Sequence, residues 1–188
     1  TSSGNFVWKK NFTVLYGNEA NINTVKVKGG FIYTGLFFDS FSGALKKSDL
    51  NGNETGSFNL SPIRTFSSID IDPQGNIFIA GSCQSGVVQF SNIGGNCPFT
   101  YSMYFAKFNS SFNGQWAKFV EDATFTSPQV VCDNSGNAYS GGDLNGAFLF
   151  DTIQAHGPSW VYDFFVAKIN SAGNFLWLRE VPEIQGGD

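Results

Sequence analysis

The chain has 188 residues, 41% of them hydrophobic, and a formal net charge of -4 with a pI near 4.9. The apolar content excludes an intrinsically disordered chain, the lack of clustered Lys and Arg excludes a nucleic-acid partner, and no apolar run reaches the roughly 18 residues that a membrane helix needs. With Phe present 21 times and Gly 22 times, short aromatic strands joined by glycine turns are expected. The first residue is Thr1 rather than Met, which indicates a mature or excised piece of something longer.

The opening segment resembles the end of the chain. Residues 4–10, GNFVWKK, match residues 173–179, GNFLWLR. We therefore expect residues 1–14 to be the outer strand of a preceding blade, without the other strands of that sheet. Its candidate assembly residues are Phe6, Trp8 and Phe12.

Residues 15–62 hold the first and most eroded copy of an internal repeat. The stretch TVKVKGGFIYTG, residues 24–35, predicts two strands around a shortened turn, and ALKKSDLNGN, residues 44–53, predicts a third strand. Phe58 stands where the later copies have Trp. We expect this region to be blade 1.

Residues 63–122 and 123–188 hold two clearer copies, which we expect to be blade 2 and then blade 3 with a tail. Their matching positions are 61 residues apart throughout. The main matched pairs are Asp72 with Asp133, Lys107 with Lys168, and Trp116 with Trp177. The strands predicted in blade 2 are 66–72, 76–82, 102–109 and 115–120. A loop of about 19 residues is expected between the second and the third.

The second of these strands is apolar on both faces, so its sheet must be covered on both sides. Sheets stacked face to face meet that requirement. The predicted fold is therefore all-β: a β-propeller-like array of about three four-stranded antiparallel blades plus one surplus N-terminal strand. Because closed propellers take roughly four to eight blades, we expect the array to be incomplete or to be completed by another chain.

The pattern D-x-x-G-N-x-[FY]-x-x-G, followed by [FV]-[AV]-K-[FI]-N-S and then Trp, resembles the bacterial SBBP-type β-propeller repeat. The resemblance covers residues 63–181 well and residues 15–60 loosely. Members of that family are largely secreted or surface-attached, so the resemblance implies a repeat architecture and an extracellular or cell-surface location. It implies no particular activity, because a fold does not determine a function.

Two kinds of repeated polar residue have both a structural and a functional interpretation. Asp72 and Asp133 precede Gly-Asn turns, and each turn supplies one carboxylate, which favours a turn-initiating role over calcium binding. Lys107 and Lys168 would suit an anionic ligand, but their recurrence favours a framework role, such as a bond to the neighbouring blade or protection of a sheet edge.

The aromatic residues divide into a repeated and a non-repeated group. Trp116 and Trp177 would suit sugar stacking, but their regular spacing favours packing between blades. The loop IQAHGPSWVYD breaks the repeat and contains a cluster of His156, Trp160 and Tyr162. We expect a glycan or protein contact at that loop.

Three cysteines are present. Cys83 and Cys97 bracket a Gly-, Ser- and Asn-rich insertion that we expect to lack a core, and whether they form a disulfide is left open. Cys132 follows two valines, which favours a free buried thiol acting as a small hydrophobe.

The sequence favours a protein that binds or builds over one that catalyses. The single His lacks a recognisable Ser or Cys partner motif, so we expect no enzyme, no cofactor and no metal site. The leading hypothesis is a secreted or cell-surface structural or adhesive module that joins copies of itself, or the rest of a longer chain, through blade faces or strand exchange; a filament subunit is one form of it. The alternative is a glycan- or protein-binding propeller module of a larger surface or secreted hydrolytic protein.

Overall fold

The computed structural model describes residues 3–10, 20–38, 41–120, 127–144, 149–156 and 163–181. Within these ranges every regular element is a strand, and no helix that could span a membrane is found. Blade 1 is formed by β1 (Ala20–Lys28), β2 (Phe31–Phe38), β3 (Ser42–Asp49) and β4 (Glu54–Ser61). They pair in sequence order as an antiparallel sheet.

Blades 2 and 3 have the same antiparallel strand order. Blade 2 is formed by β5 (Ile63–Ile71), β6 (Ile77–Cys83), β9 (Met103–Phe108) and β10 (Gly114–Val120). Blade 3 is formed by β11 (Gln129–Cys132), β12 (Ala138–Leu144), β15 (Asp163–Ile169) and β16 (Phe175–Val181). The predicted all-β, propeller-like array of about three four-stranded blades is confirmed.

Both blades 2 and 3 carry an inserted hairpin between their second and third strands. The first consists of β7 (Gly86–Phe90) and β8 (Ile93–Cys97), and the second of β13 (Leu149–Phe150) and β14 (Ile153–Gln154). β7 pairs with β4 and so extends the sheet of blade 1 to six strands.

The prediction that the first insertion is a loop without a core is therefore wrong. Val88 and Phe90 alternate inward along β7 and are fully buried. Cys83 and Cys97 form a disulfide across the base of the hairpin. The insertion belongs to the core because its apolar side chains follow the period of a half-buried strand.

Five of the hairpin turns share one motif. In each, an Asp or Asn side chain accepts hydrogen bonds from the backbone N–H groups two and four residues on, which holds the turn closed. The turns begin at Asp49, Asp72, Asn109, Asp133 and Asn170. The third residue after each start has a positive φ, which is why Gly occupies it in four of these five turns.

Two apolar cores lie between the blades. One joins blade 1 to blade 2 and is closed by the first hairpin, and the other joins blade 2 to blade 3. The strand β6 is fully buried along its length because it contributes side chains to both cores. Residues 3–10 form no strand and pair with no described sheet, in contrast to the strand expected there.

Candidate assembly surfaces

Each blade has two faces. We call the face that meets the preceding blade the leading face and the face that meets the following blade the trailing face. On the trailing face of blade 2, Phe78, Lys107 and Trp116 stand side by side on β6, β9 and β10. Tyr139, Lys168 and Trp177 form the same row on blade 3. The rows are related by the 61-residue repeat, so the two faces can be compared position by position.

Trp116 joins blade 2 to the turn between β15 and β16 in blade 3. Its indole Nε1 donates to the carbonyl of Ser171 at 3.2 Å. The ring lies directly against Gly173, where an added Cβ would be 2.6 Å from Trp116 Cγ. The joint therefore needs both an indole on the outer strand and a Gly at the third position of the facing turn.

Trp8 makes the same joint with blade 1. Its Nε1 donates to the carbonyl of Leu50 at 2.9 Å, and its ring lies 3.3 Å from the Cβ position of Gly52. Leu50 and Gly52 hold the places in the β3–β4 turn that Ser171 and Gly173 hold in blade 3. The N-terminal segment thus takes the position of a preceding blade's outer Trp although it forms no strand.

In the joint between blades 1 and 2, the aromatic ring comes from the turn and the Gly from the outer strand. Gly56, which pairs with Lys47, occupies the place of Trp116, and Phe112 occupies the place of Gly173. The ring of Phe112 covers Gly56, since a Cβ on Gly56 would be 2.3 Å from Phe112 Cε2. The aromatic ring has moved from one side of the joint to the other.

The expectation that Phe58 replaces the repeated Trp is therefore wrong. In blades 2 and 3 the Trp follows the Asn that begins its turn by seven residues, and the same count from Asp49 leads to Gly56; the bulge before this position is present in all three blades. Phe58 instead packs in the first core, 4.4 Å from the ring centroid of Phe108 and 5.7 Å from that of Phe112.

Lys107 bonds to the neighbouring blade. It is buried, and its Nζ donates to the carbonyls of Gly136 at 3.2 Å and Ser171 at 3.5 Å, both in turns of blade 3. Lys168, its copy on blade 3, lies 5.3 Å from the ring centroid of Tyr139. One repeated Lys is thus a structural bridge, whereas the other remains partly exposed on an open trailing face.

The innermost strands are tied by Asp70 on β5. Its carboxylate pairs with Lys26 on β1 at 2.8 Å and accepts from the backbone N–H of Cys132 on β11 at 2.9 Å. Burial pushes the pKa of Asp70 up, but these hydrogen bonds outweigh it, and the pKa lies below its ordinary value. Cys132 is a free thiol, and partial burial beside Asp70 raises its pKa to about 12. This thiol stays protonated at neutral pH.

The trailing face of blade 3 is open where the same face of blade 2 is closed. Phe105 on blade 2 is fully buried, whereas its copy Val166 is 45% exposed. Val131, next to Cys132 on β11, is 56% exposed. The apolar character of this face is typical of a joint between blades, but blade 3 has no described neighbour on that side.

The leading face of blade 1 is open in the same way. Val25 and Val27 are 55% and 59% exposed, whereas their counterparts Ile69 and Ile71 on blade 2 are buried. Val25 lines a groove of about 240 Å³ together with Trp8. This face is also more polar than the leading face of blade 2, because the buried Lys46, paired with Glu54, stands where blade 2 has Ala106.

The carboxylates of Asp72 and Asp133 both accept hydrogen bonds within their own turns. Each carboxylate accepts from two backbone N–H groups and from the side-chain amide of the Asn four residues on. The hydrogen bonds from Asn137 hold the pKa of Asp133 below its ordinary value. In the part of the chain that the structure describes, no group of three or more His, Cys, Asp and Glu side chains could hold a metal ion.

The predicted glycan or partner site cannot be assembled from the described residues. His156 is exposed, and its backbone N–H donates to the carboxylate of Glu180 at 2.8 Å. Trp160 and Tyr162, and likewise Phe12 of the N-terminal segment, lie outside the described residues. Phe6 is almost fully exposed.

Comparison with known proteins adds little. No known protein family matches the sequence, and no curated protein matches it. Among solved structures, the chain is similar to a protein of unknown function from Bacteroides caccae at 9% identity and a TM-score of 0.36, with 86% of this chain and 82% of that chain covered. A likeness at that TM-score supports no conclusion about function.

Sequence reasoning missed the turn residues that receive each Trp. Leu50, Gly52, Ser171 and Gly173 carry no chemistry of their own, and two of them contribute only a backbone carbonyl. The sequence signal was the alignment of Gly52 and Gly173 with Phe112 in the turns, a position at which the structure shows a positive φ. A Phe in a position that favours Gly indicates that its ring is needed there.

Proposed function

We propose that this protein is a non-enzymatic structural module that assembles head to tail through its blade faces. The trailing face of blade 3 would pack on the leading face of blade 1 in a second copy. The observation that carries the proposal is the contrast between Phe105, fully buried, and its repeat copy Val166, 45% exposed. A face that is a core in one blade and surface in the next is a joint without its partner.

The partner's chemistry follows from the repeat itself. Within the described residues, a trailing face of this kind packs on a leading face, and one face of each kind is open. A heterologous contact between two different faces of one molecule leads to rings or filaments. Because Lys46 and Glu54 make the leading face of blade 1 more polar, we expect this contact to be weaker than the internal joints and therefore reversible.

We also propose an extracellular or cell-surface location. The disulfide between Cys83 and Cys97 supports this, because structural disulfides persist in oxidising compartments and are rare in the cytosol of mesophiles.

Sedimentation velocity over a concentration series tests the assembly. We expect the wild type to form larger species as its concentration rises and Val166→Glu to shift this equilibrium at least tenfold toward the monomer, because the variant places a charge in the apolar joint. Phe99→Glu is the matched control, since Phe99 is 53% exposed in the loop between β8 and β9 of blade 2, which has a blade packed on each side. A wild type that stays monomeric throughout the series, or equal behaviour of the two variants, contradicts the proposal.

A further inference from the structure

The N-terminal segment occupies the docking turn that head-to-tail assembly requires. In the joint between blades 2 and 3, one indole packs against one turn: Trp116 Nε1 donates to the carbonyl of Ser171 and the ring fills the space at Gly173. A second copy joined in the same way would bring its Trp177 to Leu50 and Gly52 of blade 1. Those two residues already hold Trp8.

The site has room for one of these rings. Leu50 offers one carbonyl to an indole N–H, and Trp8 ring atoms already lie 3.3 Å from the Cβ position of Gly52. Lys10 adds a hydrogen bond from its Nζ to the carbonyl of Gly52 at 3.0 Å. Trp8 and a partner's Trp177 therefore exclude each other.

The intramolecular occupant is held by few contacts. Trp8 remains 41% exposed, and Phe6 and Val7 are 99% and 72% exposed. In blade 3 the residue matching Phe6 is Phe175, which is buried in the second core against Phe105 and Phe150. The segment thus copies the Trp–turn contact of an outer strand but not its core packing. A complete trailing face would bury more apolar surface at the same place.

We propose that residues 4–10 act as a self-ligand that caps the docking turn of blade 1 and must be displaced by Trp177 of a second copy. This inference rests on the proposed head-to-tail assembly and adds its regulation. The cap lowers the fraction of molecules in which the docking turn is vacant. A lower vacant fraction lowers the apparent affinity of the turn for a second copy, so the cap weakens self-association and limits chain growth at low concentration.

Substitution of Trp8 in the full chain tests the inference. We expect Trp8→Ala to strengthen self-association about tenfold in sedimentation velocity, because it removes one hydrogen bond and part of a buried ring from the competing state. Deletion of residues 1–10 should give an equal or larger increase. Phe99→Ala is the control and should leave association unchanged, since its half-exposed ring lies in the loop between β8 and β9 of blade 2, outside both the cap and the docking turn.

The same experiment separates this inference from the proposed function when Trp177→Ala is included. Weaker association of Trp177→Ala together with stronger association of Trp8→Ala supports both. If Trp177→Ala weakens association while Trp8→Ala leaves it unchanged, the cap is wrong and head-to-tail docking stands. If Trp8→Ala also weakens association, the segment donates a strand to its partner and the cap is overturned. If every variant and the wild type stay monomeric, both proposals fail.

Discussion

The trailing faces of blades 2 and 3 are two copies of one surface in different surroundings. On blade 2, Phe105 and Trp116 are buried against the next sheet. Lys107 donates hydrogen bonds to backbone carbonyls in two turns of that sheet. On blade 3 the copies Val166 and Trp177 have no described sheet to meet. The difference shows that burial at these repeated positions depends on whether a neighbouring sheet covers them and not on the repeat itself.

Removing the same Trp from the two faces should have very different effects on folding. We expect Trp116→Ala to lower the free energy of unfolding by about 3–5 kcal/mol, because it empties a buried joint. Trp177→Ala should cost about 1 kcal/mol or less at a concentration where the protein is monomeric, because its ring is partly exposed. Urea denaturation followed by circular dichroism measures both, and equal losses would show that the two faces are not different environments.

The hairpins differ in the same way, since only the first is cross-linked among the described residues. Cys83 and Cys97, 14 residues apart, close β7 and β8, whereas the residue matching Cys83 in blade 3 is the buried Leu144. Replacing both half-cystines by Ala should lower the free energy of unfolding by about 3 kcal/mol, because the unfolded chain regains loop entropy. Cys132→Ala is the control. A double variant as stable as this control would contradict the role assigned to the cross-link.

Moving the aromatic ring from the outer strand to the facing turn tests whether the two internal joints are equivalent. Trp116→Gly combined with Gly173→Phe rebuilds the joint between blades 2 and 3 in the form that Gly56 and Phe112 adopt between blades 1 and 2. Gly173→Phe alone should destabilise, because its side chain meets Trp116. The double variant should be more stable than the sum of the single changes predicts by about 2 kcal/mol in a double-mutant cycle. Additive effects would show that the two joints are not equivalent.

An effect smaller than the loss of Trp116 is expected at Asp70, whose repeat copy is the exposed Val131. Asp70→Asn should lower the free energy of unfolding by about 1–2 kcal/mol at neutral pH, because it breaks the pair with Lys26. The folded-state pKa of Asp70 lies below its unfolded value of about 3.9, so its stabilisation is complete above that pH and disappears as pH falls through the folded-state pKa. The gap between wild type and variant should therefore close in acid. A gap that is constant with pH would contradict the assignment.

The sequence predicts the blades well because the residues that begin the turns and fill the cores recur in each copy. Asp72 and Asp133 both begin turns, and the apolar run of β6 requires sheets on both sides, so the period and the face-to-face stacking follow directly. The joints are harder to predict. The turn that contacts the Trp contributes only a backbone carbonyl and a Gly. In the joint between blades 1 and 2, Gly56 stands in place of the Trp, and the ring that covers it comes from Phe112, more than fifty residues away.

The inserted hairpin was missed because turn residues outnumber apolar ones in its sequence. Val88 and Phe90 show the alternation of a half-buried strand, but β4, with which β7 pairs, lies in the preceding blade. A pairing between strands of different repeats is invisible to a search for identical copies. The exposed faces are also beyond sequence reasoning, because Val166 and Phe105 are both apolar and the sequence does not show which of them a neighbouring sheet covers.

The central claim is that one copy's trailing face docks on another copy's leading face, and mixing two half-blocked copies tests it most directly. Val166→Glu blocks the trailing face of blade 3, and Val25→Glu blocks the leading face of blade 1; both side chains are exposed, so both variants should fold. Native mass spectrometry should find each variant monomeric alone and a one-to-one heterodimer in the mixture, because the mixture retains one good face of each kind. Homodimers of either variant alone, or a mixture that stays monomeric, would contradict head-to-tail assembly.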